Sequence, residues 1–144
     1  MRKSIDVSKR KFTDALSALA FLYSGEKRFA DAEPVAREAV TLNPNLWDAQ
    51  LELARALQGL DRPEEAEPCA LSVLRLKPDF AQIHLLLANI HLKMRNYQAL
   101  LQDLDHYLQA APDTPEAVQA RQMREQVTQL LSQGESAKPG EPQP

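Results

Sequence analysis

The stretch WDAQLELARALQGLDRPEEAEPCALSVLRLKPDF, residues 47–80, decides the fold. Moved 34 residues toward the N-terminus it falls on residues 13–46, and moved 34 toward the C-terminus it falls on 81–114. The first two copies agree at 12 of 34 positions, where average residue usage gives roughly two by chance. Pro44, Pro78 and Pro112 fall in step, as do Leu19, Leu53 and Leu87, and Ala20, Ala54 and Ala88. A fixed period of this length announces units that stack on one another, not a closed globule.

Each unit reads as two helices. Leu51, Leu53, Ala54, Leu57 and Leu60 recur at three- and four-residue steps, the period of an amphipathic helix. Gly59 is expected to close that helix in a left-handed conformation. Asp61 is the expected N-cap of the second helix and Pro63 its first residue, with Glu64, Glu65 and Glu67 near the positive end of the dipole. Ala66, Ala70, Val73, Leu74 and Leu76 form its apolar stripe, Pro78 ends it and Asp79 caps the next. Pro34 and Pro68 fall inside second helices that begin near Phe29 and Pro63, where each forfeits a hydrogen bond.

The same reading runs along the chain. In 13–46, Leu16, Leu19, Ala20 and Tyr23 line the first helix, and Phe29, Ala32, Ala36, Ala39, Val40 and Leu42 the second. In 81–114, Ile83, Leu87, Ala88, Ile90 and Leu92 precede Tyr97, Leu100, Leu104, Tyr107 and Leu108, and Lys93 stands where Gly25 and Gly59 stand. Residues 115–132 read as a helix that covers the last hairpin, capped by Asp113, with Ala117, Ala120, Met123, Val127 and Leu130 facing inward. Residues 133–144 lack any apolar period and read as a disordered tail. Residues 1–12 carry five basic residues against one acid and align with the end of the first unit's second helix if one residue is inserted. They are either the remnant of a preceding repeat, in an excerpt of a longer array, or a true start with a short capping turn.

The net charge is −3, with the basic excess confined to residues 1–12. An acidic body is a poor partner for nucleic acid, which needs a basic face to displace counterions. No apolar run is long enough to span a membrane and no signal core follows the basic start, which leaves a cytoplasmic site as the default expectation. A single cysteine, Cys69, excludes an internal disulfide.

Taken together, the pairs Leu19-Ala20, Leu53-Ala54 and Leu87-Ala88, with Tyr23, Ala32, Ala66, Ala39 and the three in-step prolines, resemble the tetratricopeptide (TPR) repeat family over 13–114 plus the covering helix. The large aromatic often found early in each first helix is Leu16, Gln50 and His84 here, and Leu100 replaces the small Ala32 and Ala66. The resemblance implies an all-α, right-handed α-solenoid of about three TPR hairpins with a C-terminal capping helix. It also implies a concave groove, lined by the first helices, that holds a peptide or helix of a partner protein. On that geometry the groove residues are Asp14, Ser17, Ala18, Phe21 and Ser24; then Asp48, Leu51, Glu52, Arg55 and Gln58; then Gln82, Leu85, Leu86, Asn89 and Leu92. Phe21, Leu51, Leu85, Leu86 and Leu92 are read as apolar surface not needed for hairpin packing. TPR co-chaperones grip a chaperone's C-terminal carboxylate with Lys, Asn and Arg. The corresponding positions here are Ser17, Phe21, Glu52, Gln82 and Leu86, so that clamp is absent.

No constellation points to catalysis. His84 and His91 are seven residues apart, two helical turns or roughly 10 Å, too far for one zinc ion whose ligands sit at about 2 Å. Both occupy packing positions, and His106 lies on the next helix. Cys69 has Arg62 and Arg75 only several residues away, and an inert buried thiol outweighs a nucleophile. The sequence reading is therefore a noncatalytic protein-interaction module with no cofactor or metal. The alternative is a regulatory or substrate-docking segment of a larger enzyme or of a transport or assembly protein. Self-association through the N-terminal face is a third reading.

Overall fold

The computed structural model describes residues 7–136. They form α1 (Val7–Gly25), α2 (Phe29–Leu42), α3 (Trp47–Gly59), α4 (Pro63–Leu76), α5 (Gln82–Lys93), α6 (Tyr97–Ala110) and α7 (Pro115–Ser136), with no strand among the described residues. The chain is an all-α helical-repeat solenoid, as the 34-residue period predicts. Each helix packs on the next, and α1 also packs directly on α3.

Short turns join the helices of each hairpin, and their chemistry differs from the sequence expectation. The left-handed residue is not the glycine but the residue two places on: Lys27, Asp61 and Arg95, with φ of 62°, 61° and 60°. In each hairpin that residue's N–H bonds back three residues and the next N–H bonds back five. The longer bonds run from Arg28 to Tyr23, Arg62 to Leu57 and Asn96 to His91, at 2.8, 2.9 and 2.9 Å. This is a Schellman C-cap repeated three times. It explains why the third hairpin turns with Lys93 in the glycine position. It also takes Asp61 out of the N-cap role, which falls to Arg62 without a side-chain bond.

Gly59 is needed for a different reason. A Cβ there would run into the Phe29 ring of the preceding hairpin, whereas a Cβ on Gly25 would meet nothing. Two other caps shift as well. The Asp79 carboxylate lies 3.8 Å from Lys77 Nζ while α5 follows Ala81, and Thr114 Oγ1, not Asp113, accepts from the N–H of Ala117 at 3.2 Å. Pro34 and Pro68 are exposed within α2 and α4. The carbonyls they orphan, on Ala30 and Glu64, belong to exposed residues within reach of water, so both helices continue.

Two clusters carry the interior. One joins Ala20, Ala36, Leu53, Leu57, Ala66, Ala70 and Val73 to Ile83, Leu87 and Ile90 of α5. The other gathers Ala88 from the opposite face of α5 with Leu100, Leu104 and Tyr107 of α6 and Ala117, Ala120 and Val127 of α7. Each fully buried Leu or Ile contributes about 1.5–3 kcal/mol relative to exposure. Alanines at 20, 32, 36, 39, 54, 66 and 70 are fully buried, letting helix backbones approach closely. Gln50, polar where packing is expected, is 7% exposed because its Nε2 donates to the Pro44 carbonyl at 2.9 Å.

Several boundaries move. Residues 7–12 are the first turns of α1 rather than the end of a preceding hairpin's second helix; residues 1–6 lie outside the described residues. Leu19, expected on the inner face of α1, is 38% exposed. The capping helix extends past 132 to Ser136, and residues 137–144 of the expected tail lie outside the described residues. Its inner face runs Ala117, Ala120, Met123, Val127 and Leu131; Leu130 is 63% exposed, because the helical stripe continues four residues after Val127, not three.

Candidate functional site

The first helices bring their side chains together in three clefts. One, about 450 Å³, lies where the C-terminal ends of α1, α3 and α5 converge. Phe21, Ser24 and Gly25 meet Arg55, Gln58, Gly59 and Lys93 there, with Phe29 of α2 at its edge. A second, about 220 Å³, lies between α1 and α3 and is lined by Asp14, Ser17, Ala18, Phe21, Asp48 and Glu52. A third, about 140 Å³, lies between α5 and α7, with Leu85, Asn89, Leu104, Ala120 and Met123 in its walls. Phe21 belongs to the first two and is 55% exposed, so one aromatic ring joins them.

Charge is distributed unevenly along this surface. The α1–α3 cleft has Asp14, Asp48 and Glu52, and the convergent cleft has Arg55 and Lys93. Glu52 is 4% exposed, and Arg55 Nη1 approaches one of its oxygens at 3.3 Å. Burial pushes the Glu52 carboxyl above its usual range; Arg55 opposes that and Asp48 adds to it.

Of the residues read from the sequence as groove-lining, Asp14, Ser17, Phe21, Asp48 and Glu52 come together in one cleft, Arg55 lies in the next and Leu85 and Asn89 in the third. Leu51, Gln82, Leu86 and Leu92 are not among the lining residues of these clefts. Leu51 corrects the sequence reading: it is 5% exposed and sits in the first core cluster, because α1 packs directly on α3 at that level. The apolar strip expected through Phe21, Leu51, Leu85 and Leu92 is therefore interrupted at repeat two. Leu86 is half-buried against the first cluster and Leu85 against the second, while Gln82 is exposed and Leu92 is 38% exposed.

Sequence reasoning missed Phe29, Gly59 and Lys93 as cleft-lining residues. The turn glycines at 25 and 59 were the available signal. It also missed a buried ionic link. His91 Nδ1 lies 2.5 Å from Asp103 Oδ2 and its Nε2 lies 2.7 Å from Glu67 Oε2, so one imidazole ties α5 to both α6 and α4. Burial pulls the His91 pKa down, but the hydrogen bonds it donates to Asp103 and Glu67, with the charges of both carboxylates, together outweigh burial and raise it. Both ring nitrogens are thereby engaged, and among the described residues no group of His, Cys, Asp and Glu is placed to hold a metal ion. Cys69 is half-buried, and burial raises its pKa above the ordinary thiol value, the wrong direction for a nucleophile. No helix among the described residues is long and apolar enough to cross a membrane.

With the hairpins, the repeated turn and the groove in place, a tetratricopeptide-repeat family model matches residues 23–90. The matched residues span just under half of the chain, and over them it is similar to tetratricopeptide-repeat proteins. Over 119 residues it is 28% identical to human protein O-mannosyl-transferase TMTC1, a match covering 78% of this chain but only 14% of that protein. Among solved structures, the Yersinia enterocolitica type III secretion translocator chaperone SycD superposes with a TM-score of 0.80 at 15% identity, covering 90% of each chain. The first TPR of Spaghetti (RPAP3), bound to the HSP90 peptide SRMEEVD, superposes with a TM-score of 0.77 at 14% identity, covering 85% of this chain and 94% of that one. At these identities the likeness is one of fold.

Proposed function

We propose that this TPR array is a noncatalytic interaction module that binds an amphipathic segment of a partner protein in the groove formed by α1, α3 and α5. The observation that carries this reading is Phe21, an exposed aromatic ring on a first helix shared by two adjoining clefts. Large aromatic anchors at the meeting point of concave surfaces are where binding energy concentrates. The acidic cleft on one side and Arg55 and Lys93 on the other give the groove a direction, so the segment carries Lys or Arg toward the α1–α3 end. The carboxylate clamp has no counterpart here: Glu52 and Phe21 stand where basic and amide groups would grip a terminal carboxylate. The peptide bound by the RPAP3 domain is thus not the model for this ligand.

A second reading is favoured by the length of the TMTC1 match. A chain equivalent to 14% of a transferase fits a substrate-docking or regulatory segment of a larger enzyme, with the same groove as its working surface.

Affinity capture of the full-length product identifies the partner, and titration of its binding segment against Phe21→Ala tests the groove. The variant should weaken binding by about 2 kcal/mol or more. Its melting temperature should not change, since the ring is 55% exposed. Unchanged affinity in a folded variant moves the site off this surface. Sedimentation at several concentrations decides whether a second copy competes for the N-terminal face.

A further inference from the structure

The α1–α3 cleft contains polar atoms that the fold leaves without partners. Ser17 Oγ, Asp48 Oδ1 and Glu52 Oε1 are each buried and have no hydrogen-bond partner among the described residues, and all three residues line the same cleft of about 220 Å³. Ser17 is 5% exposed and Glu52 4%. Arg55 approaches only the other Glu52 oxygen, and it is matched against three acids, Asp14, Asp48 and Glu52. A carboxylate oxygen buried without a donor is costly, so a fold has no reason of its own to put one there.

The repeats show that the fold does not require it. One period away, Glu52 corresponds to Ala18 and Leu86, and Ser17 to Leu51 and Leu85, so the same positions serve elsewhere with apolar side chains. Asp48 stands in the first turn of α3, where a helix dipole favours acid, but Asp14 lies mid-helix because α1 begins at Val7. Dipole compensation therefore accounts for one acid of the three.

We infer that this cleft is a receptor for the cationic head of a Lys or Arg side chain carried by the bound segment, with Ser17, Asp48 and Glu52 accepting its hydrogen bonds. The inference rests on the groove reading above and assigns to it a specificity-determining subsite. An ammonium offers three donors and a guanidinium five, and neither competes as an acceptor with the oxygens already present. Entry of the cation supplies donors to oxygens that have none among the described residues, so the carboxylates favour binding where they do not favour folding. The Phe21 ring at the rim lies against the aliphatic stem of such a side chain.

The test selects random peptides displayed against the full chain, then synthesises the best binder with Lys, Arg or norleucine at its shared basic position. Selected peptides should carry Lys or Arg at one common register. Replacing it by norleucine should weaken binding to the wild type at least about tenfold, the signature of a lost buried charge contact. Against Glu52→Gln or Asp48→Asn the basic and norleucine peptides should differ by no more than about twofold, a coupling read as a double-mutant cycle. An undiminished Lys preference in both variants, with affinity still lost in Phe21→Ala, overturns the subsite and leaves the groove reading standing. Peptides indifferent to Phe21→Ala, or no selection at all, overturn both. Glu52→Gln should melt at the same temperature as the wild type or higher. A clear drop would make the carboxylate a structural partner of Arg55 and overturn the inference.

Discussion

The first helices of repeats one and two share a register but have very different surroundings. In α3, eight of thirteen residues are buried, from Ala49 to Leu57, whereas in the nineteen-residue α1 the buried residues are Thr13, Ser17 and Ala20. The contrast is sharpest at matched positions: Leu53 is 3% exposed and Leu19 38%, while Ala56 is 0% exposed and Leu22 60%. The cause is neighbours. Among the described residues α3 is flanked by α1, α2 and α4, whereas α1 packs chiefly on α2 and α3. In a repeat array burial belongs to the position in the stack as much as to the residue.

The largest test of that contrast is a buried charge. Leu53→Asp should cost about 4 kcal/mol or more, because an unpaired carboxylate would enter the first core cluster. Leu19→Asp at the matched position should cost less than about 1 kcal/mol. Paired denaturant titrations followed by circular dichroism check both; equal losses would mean that the outer face of α1 is covered in solution.

A smaller separation is expected at the turn glycines. Gly59→Ala drives a methyl into the Phe29 ring and should cost about 1–3 kcal/mol as overpacking. Gly25→Ala meets open space and should be neutral or stabilising by up to about 1 kcal/mol. Thermal melts of the two variants read the difference directly, and Gly59→Ala combined with Phe29→Leu should recover part of the loss.

The mildest test concerns His91, which ties repeats two and three in a way that repeats one and two do not share: Leu57 stands one period earlier. Despite burial, its two carboxylate partners raise its pKa in the folded state. A raised folded pKa gives stability that is complete below the unfolded value of about 6.5 and is lost as pH rises through the folded value. Burial also raises the Asp103 pKa against the pull of His91, which gives the same sign. The melting temperature should therefore fall as pH rises above about 6.5. His91→Gln should flatten that dependence, as a differential scan at several pH values would show.

Much of this molecule was legible before any coordinates. The 34-residue period, the in-step prolines and the Leu-Ala pairs set the hairpin count, the helix starts at Phe29 and Pro63, and the covering role of the last helix. These are local or periodic properties, and a helix's inner stripe repeats along the chain whatever lies beyond it. The six residues that line the α1–α3 cleft are all among those the family resemblance implied for a groove, so they came from the resemblance and not from the period. What needed the tertiary structure was everything set by a neighbour from another repeat. Leu51 belongs to the core because α1 reaches α3 there, Gly59 is small because Phe29 arrives from the previous hairpin, and His91 is flanked by acids from two other helices. The left-handed turn residues show the same limit at short range. Gly25 and Gly59 carry the composition of a C-cap, but the backbone makes its turn two residues later, at Lys27 and Asp61, because the capping hydrogen bonds and not the side chain fix that position.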